Sequence, residues 1–183
     1  MTKLETIHMR GPDPIGDILI VTQADVVVAI TFGLADERIL RNLRTRFGED
    51  VQLTACADYN HDAHAALRAY FDGDLYALQN LRADGGGSAF QRRVWAELRR
   101  IPPGETRSYG ELARNLGNSG ASRAVGLANG SNPINLVVPC HRVIGSNGKL
   151  TGYGPGLALK EWLLDFEARH AGKQPTLFPR YRT

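Results

Sequence analysis

The pair Cys140-His141 lies in the run NLVVPCHRVIG, residues 135–145, and is the arrangement in this chain best suited to covalent chemistry. A free thiol ionises near pH ~8.5 and is a poor nucleophile at neutrality, until an imidazole or a helix N-terminus helps remove its proton. Successive side chains on a straight strand face opposite ways, so His141 can serve Cys140 only where the backbone turns. Pro139 before the pair and Gly145 behind it suit such a turn. The competing reading is a buried cysteine with an unrelated histidine beside it. A second group, Cys56, His61 and His64, has two histidines at i,i+3 and forms a partial metal set. A fourth ligand is not evident, so the expectation is no metal, with Cys56 packed as a small apolar residue.

The elements that must position these residues fall into two halves. DILIVT and DVVVAITF, separated by QAD, read as a β-hairpin, and DERILRNLRTRFG as a helix with Ile39, Leu40, Leu43 and Phe47 on one face. VQLTAC then suggests a strand and HDAHAALRAYFDG a second helix. The glycine run in RADGGGSAF marks a joint. Beyond it, Ser88 with Gln91 and Ser108 with Glu111 form capping boxes that open two helices, the second closed by Gly117. A polar turn, NSG, leads to a third helix, ASRAVGLAN. The expected class is α+β, with an N-terminal domain over 1–84, a mainly helical C-terminal domain over 85–170 and a tail, 171–183, that is disordered or loosely docked.

Charge divides along the same line. Residues 1–87 carry eight Lys/Arg against thirteen Asp/Glu, and residues 88–183 carry fourteen against six. The basic half is a candidate polyanion binder, with a merely solvated face as the alternative. Two helices joined by a tight turn in a basic domain read as a helix-turn-helix. The second of them carries Arg123 and Asn129 but otherwise only Ala, Ser, Gly, Val and Leu. Sequence-specific readers set Arg, Asn, Gln or Lys against base edges, so this helix suits shape and phosphate recognition instead, or else tight packing within the domain. No apolar run reaches the ~18 residues of a membrane helix and no secretory signal is evident, so a cytoplasmic protein with reduced cysteines is expected.

The stretch NPINLVVPCHRVIGSNGKLTGYGPGLALKEWLLDFE, with IPPGETRSYGELA and SRAVGLANG ahead of it, closely resembles the O6-alkylguanine-DNA alkyltransferases over about residues 88–168. The resemblance implies a ribonuclease H-like N-terminal domain with a small antiparallel sheet, and a winged helix-turn-helix-like catalytic domain. It implies direct, irreversible, single-turnover transfer of the alkyl group from O6-alkylguanine, and from O4-alkylthymine, to Cys140. In that reading His141 takes the thiol proton through a water, Glu167 orients His141, and Asn132 braces the helix-turn-helix against the reactive turn. Tyr109 contacts the lesion and helps protonate the departing guanine. Backbone groups at Cys140, Val143 and Gly154, the ring of Tyr153 and the pocket wall at Asn135 would hold the base. Ala121, Ser122, Arg123, Ala124 and Gly126 would meet DNA, with Arg123 filling the gap left by the extruded nucleotide.

The implied partner is double-stranded DNA carrying the lesion, bound in the minor groove without sequence preference by a protein monomeric in solution. No cofactor, metal or membrane is implied. Gly154 stands where some relatives have serine, which a backbone contact tolerates; Asn135 stands where some have proline, which leaves the range of alkyl groups open. Two other readings stay open at this point. One is a cysteine hydrolase built on Cys140, His141 and Glu167, and the other a helix-turn-helix regulator with a structural cysteine.

Overall fold

The computed structural model describes residues 2–33, 37–56 and 61–174; the tail beyond residue 174 lies outside them. The chain forms two compact units, Met1–Gly86 with Pro133–Val137, and Gly87–Asn132 with Val138–Thr183.

The first unit is a four-stranded sheet with two helices. Strands β1 (Lys3–Arg10), β2 (Asp17–Gln23) and β3 (Val26–Phe32) pair antiparallel in sequence, and β4 (Gln52–Ala55) returns parallel to β1, giving the order β3-β2-β1-β4. The expected hairpin is β2-β3. The strand β1 goes beyond the sequence reading; its buried positions, Leu4, Thr6, Ile7 and Met9, do not alternate cleanly, because Thr6 and Ile7 are both covered. Helix α1 (Glu37–Phe47) puts Ile39 and Leu43 into a cluster with Leu4, Leu19, Val21, Val28 and Ala29. Helix α2 (Asp62–Phe71) is capped by His61, whose Nδ1 accepts the Ala63 N–H at 3.1 Å. That cap engages one member of the suspected metal set. Among the described residues no three His, Cys, Asp or Glu side chains converge as a metal site.

The segment Pro133–Val137 runs along the outer edge of β3. Ile30 donates its N–H to the Pro133 carbonyl at 2.9 Å, and the Asn135 side-chain amide donates to the Ile30 carbonyl at 2.8 Å. An edge strand with open hydrogen-bonding groups is thereby covered.

The second unit is mainly helical. Helix α3 (Ala89–Arg99) and helix α4 (Tyr109–Asn115) both start at the expected capping boxes, Ser88/Gln91 and Ser108/Glu111. A short 3-10 turn, Ser119–Ala121, leads from α4 into α5 (Ser122–Gly130). The Trp95 indole N–H donates to the Ala128 carbonyl at 2.9 Å and ties α5 to α3. The two-residue strands β5 (Arg107–Ser108) and β6 (Val143–Ile144) pair parallel, which sets the start of α4 beside the turn that follows Cys140. Helix α6 (Leu157–His170) closes the unit. None of the described helices is long and apolar enough to cross a membrane.

Candidate active site

Cys140, His141 and Arg142 form a single 3-10 turn, begun by Pro139 and closed by the Arg142 N–H on the Pro139 carbonyl at 3.0 Å. This is the bend that the adjacent pair requires. On such a turn consecutive side chains splay by about a third of a revolution, so three neighbouring residues reach three different partners. The Cys140 side of the turn is almost closed to solvent, with 4% of the residue exposed. The Asn132 side-chain amide donates to the Cys140 Sγ at 3.2 Å and to the Val138 carbonyl at 2.8 Å. One amide therefore fixes the backbone ahead of the sulfur and presents a proton to the sulfur itself. A donor in that position favours the thiolate over the thiol.

His141 is fully buried, and its Nε2 lies 3.0 Å from Glu167 Oε1. A carboxylate in contact fixes the tautomer: Nε2 carries the proton and donates it, which leaves Nδ1 as a bare acceptor. Among the described residues Nδ1 has no hydrogen-bond partner, although it is buried. Burial lowers the pKa of the ring below its ordinary value of 6.5, and the opposing pull of Glu167 does not reverse this. The imidazole is thus neutral at neutral pH and able to take a proton at Nδ1.

Glu167 is itself buried on α6, one turn beyond Leu163, and accepts from several donors. The Arg142 Nε and Nη2 reach it at 2.9 Å and 2.7 Å, and the Gly104 N–H at 3.1 Å. Burial alone would raise the carboxyl; the His141 ring and the Arg142 guanidinium overrule it and hold Glu167 well below the usual carboxylate range. Arg142 also donates from Nη1 to the Ile101 carbonyl at 2.6 Å.

Two further buried groups complete the surroundings. Lys160 is enclosed on α6 and donates from Nζ to the carbonyls of Val143, at 2.5 Å, and Thr151, at 2.7 Å. Burial lowers its pKa from 10.5 to about 8, against an upward pull from Cys140. The Tyr153 ring lies 6.0 Å from that ammonium, and its hydroxyl is buried without a partner among the described residues. Burial, then the charges of Cys140 and Glu167, raise the Tyr153 phenol well above its ordinary value. Tyr109, the first residue of α4, is half-buried. Its phenol is also raised, by burial first and Cys140 last, with a lowering hydrogen bond to Thr151 between them.

Residues 89–169 match the family described as 6-O-methylguanine DNA methyltransferase, DNA binding domain. The methylated-DNA–protein-cysteine methyltransferase of Mycolicibacterium paratuberculosis is 61% identical over 112 residues, which span 61% of this chain and 67% of that protein. The same-named protein of Methanosarcina acetivorans is 54% identical over 110 residues, 60% of this chain and 70% of that one. The crystal structure of Mycobacterium tuberculosis OGT in complex with DNA superimposes with a TM-score of 0.72 at 39% identity, covering 95% of this chain and 96% of that one. This chain belongs to the 6-O-methylguanine DNA methyltransferase family.

In this methyltransferase Cys140, His141, Glu167, Asn132, Tyr109, Val143 and Tyr153 all lie in the second unit, linked by the contacts above. Gly154 sits in an exposed turn just ahead of α6. Asn135 falls in the first unit, where its side-chain amide donates to the Ile30 carbonyl of β3. On α5, Arg123, Ala124 and Leu127 are exposed and Ser122 and Gly126 half-covered, as is Ala121 in the turn ahead of it, and Gly126 packs beside the Tyr109 ring. Sequence reasoning passed over Arg142 and Lys160, both buried cations. Arg142 stands inside the PCHRV signature, and that position was the available signal; Lys160 reads as an ordinary polar residue on a helix.

Proposed function

We propose that Cys140 is the alkyl acceptor for O6-alkylguanine in double-stranded DNA, with O4-alkylthymine as a second substrate. The observation that carries this reading is the bare, buried Nδ1 of His141, whose opposite nitrogen is held by Glu167. That atom accepts the thiol proton through one water, and the resulting imidazolium stays beside an anionic carboxylate. The thiolate, steadied by the Asn132 amide, attacks the alkyl carbon: a sulfur–carbon bond forms as the bond from carbon to O6 breaks. Tyr109, whose raised pKa keeps its phenol protonated, donates a proton to the departing guanine and recovers one from solvent. The carbon–sulfur bond of the product thioether has no easy hydrolytic return path, so each molecule acts once.

An alkyl group on O6 lies inside the stacked duplex, so the lesion must be extruded to reach the sulfur, at a few kcal/mol that a damaged pair reduces. The α4-turn-α5 pair serves as the helix-turn-helix, with α5 in the minor groove. Arg123 there offsets lost stacking by entering the duplex, and the small side chains Ala121, Ser122, Ala124 and Gly126 allow close backbone approach. Leu127, 78% exposed on the same helix, adds an apolar contact to deoxyribose that is blind to sequence. Val143, Gly154 and Tyr153 line the base pocket. The protein works as a monomer in the cytoplasm and needs no cofactor.

Incubation with a duplex containing one O6-methylguanine, followed by intact mass measurement, tests the assignment. The expected result is a gain of one methyl and no more, however large the excess of duplex. A protein that turned over a small acyl substrate and gained no methyl would point to a cysteine hydrolase instead.

A further inference from the structure

The carboxylate behind His141 is shared. Oε1 of Glu167 receives His141 Nε2 at 3.0 Å and Arg142 Nη2 at 2.7 Å, and Oε2 receives Arg142 Nε at 2.9 Å together with the Gly104 N–H at 3.1 Å. Arg142 is anchored at its third nitrogen by the Ile101 carbonyl, so the fork cannot swing away without breaking another bond. Burial is the largest influence that keeps the ring uncharged, and Glu167 pulls against it; a carboxylate that served the histidine alone would pull harder toward the imidazolium.

We propose that Arg142 is a positioning residue for alkyl transfer: by forking onto the oxygen that also receives His141, it balances the charge of Glu167 and adds to burial in holding the ring as an Nε2-protonated base until the thiol proton arrives. Besides burial, three groups act on that ring: Glu167 and Lys160 from α6, and Arg142 from its own turn. Of these, Glu167 alone favours the imidazolium strongly; Arg142 and Lys160 both disfavour it. Lys160 is committed to the Val143 and Thr151 carbonyls, whereas Arg142 touches the same carboxylate oxygen as the ring. Removing a fixed positive charge makes every neighbouring proton harder to lose, so both the ring and the thiol should titrate at higher pH without it.

This inference rests on His141 acting as the base for Cys140, and it is tested without guanine so that the two can fail separately. The probe is iodoacetamide, with alkylation of Cys140 followed by mass spectrometry against pH in a Cys56→Ser background. In Arg142→Gln the acid limb of the rate should move up by about one pH unit, the order expected from a charge in contact. In Arg142→Lys, which keeps the charge but not the fork, the midpoint should stay near that of the parent while the rate falls. Equal loss of rate in both variants with no movement of the midpoint would overturn the proposal, because a purely structural arginine changes amplitude alone. If Arg142→Gln fails to fold, ring nitrogen shifts in the parent protein decide. A neutral, Nε2-protonated His141 at pH 7 with an unmoved midpoint in Arg142→Lys supports the proposal, and an imidazolium at pH 7 overturns it. Loss of methyl transfer from DNA with these titrations intact would defeat the repair reading alone.

Discussion

Glu167 shows how far a single buried side chain controls this site. Its carboxylate lies well below its ordinary pKa of 4.5, and the His141 ring lies below 6.5. A depressed histidine leaves the unfolded chain binding a proton that the folded one refuses, so stability falls as pH drops through about 6.5. A depressed carboxylate contributes stability that is complete above pH 4.5 and is lost as pH falls toward its folded value. Denaturant midpoints measured from pH 8 to pH 2 should therefore decline in two stages, one around pH 6.5 and one below pH 4.5. Glu167→Gln should remove the lower stage and cost about 3–5 kcal/mol at pH 7, because it leaves the Arg142 guanidinium buried without its counter-charge. A flat midpoint across that range would contradict the assigned protonation states. Cys140 and His141 were legible as a reactive pair from their adjacency and the flanking Pro139 and Gly145. Glu167 could be placed only through the family resemblance, since a glutamate on an amphipathic helix ordinarily faces water. Arg142 stands inside the PCHRV signature, but nothing local names its partner, which lies 25 residues on.

At the level of elements, the capping boxes at Ser88 and Ser108 and the stop at Gly117 were readable because each rests on residues within one turn of the chain. Strand β1 was not, since Thr6 and Ile7 break the alternation that marks a half-buried strand. The glycine run reads as a flexible joint, yet Gly87 has a stricter task. Its φ is +79°, and an added Cβ would stand 2.7 Å from the Trp95 ring, the same ring that ties α3 to α5. Gly87→Ala should cost about 1–3 kcal/mol in thermal or denaturant unfolding, from the left-handed backbone together with the clash. A neutral substitution would mean that the Trp95 packing is loose. Helix α5 was readable in composition but not in consequence: its exposed face combines Arg123 with Ala124 and Leu127. Arg123→Ala should slow repair of a lesion in duplex by about tenfold or more relative to its effect on a free-base substrate, as ~1.4 kcal/mol of lost extrusion energy would do. Equal slowing of both substrates would mean that Arg123 does not support extrusion.

Across the whole molecule, the charge asymmetry between the halves of the sequence follows the division of the chain into two compact units. The described part of the acidic half builds a sheet and its helices, while the basic half holds Cys140 together with Asn132, His141, Arg142 and Glu167. The exception is the segment Pro133–Val137, which crosses over to cover β3 and carries Asn135 with it. No local signal in NPINLVV announces that destination, because pairing with Ile30 depends on residues a hundred positions earlier. The account as a whole depends on one bond, from the alkyl carbon to a single sulfur. Peptide mapping after reaction with an O6-methylguanine duplex, run beside Cys140→Ser, examines that bond most directly. One methyl per molecule on Cys140 is expected, and a serine variant that binds the duplex with little change yet gains nothing; a methyl on any other residue, or transfer by the serine variant, would overturn Cys140 as the acceptor.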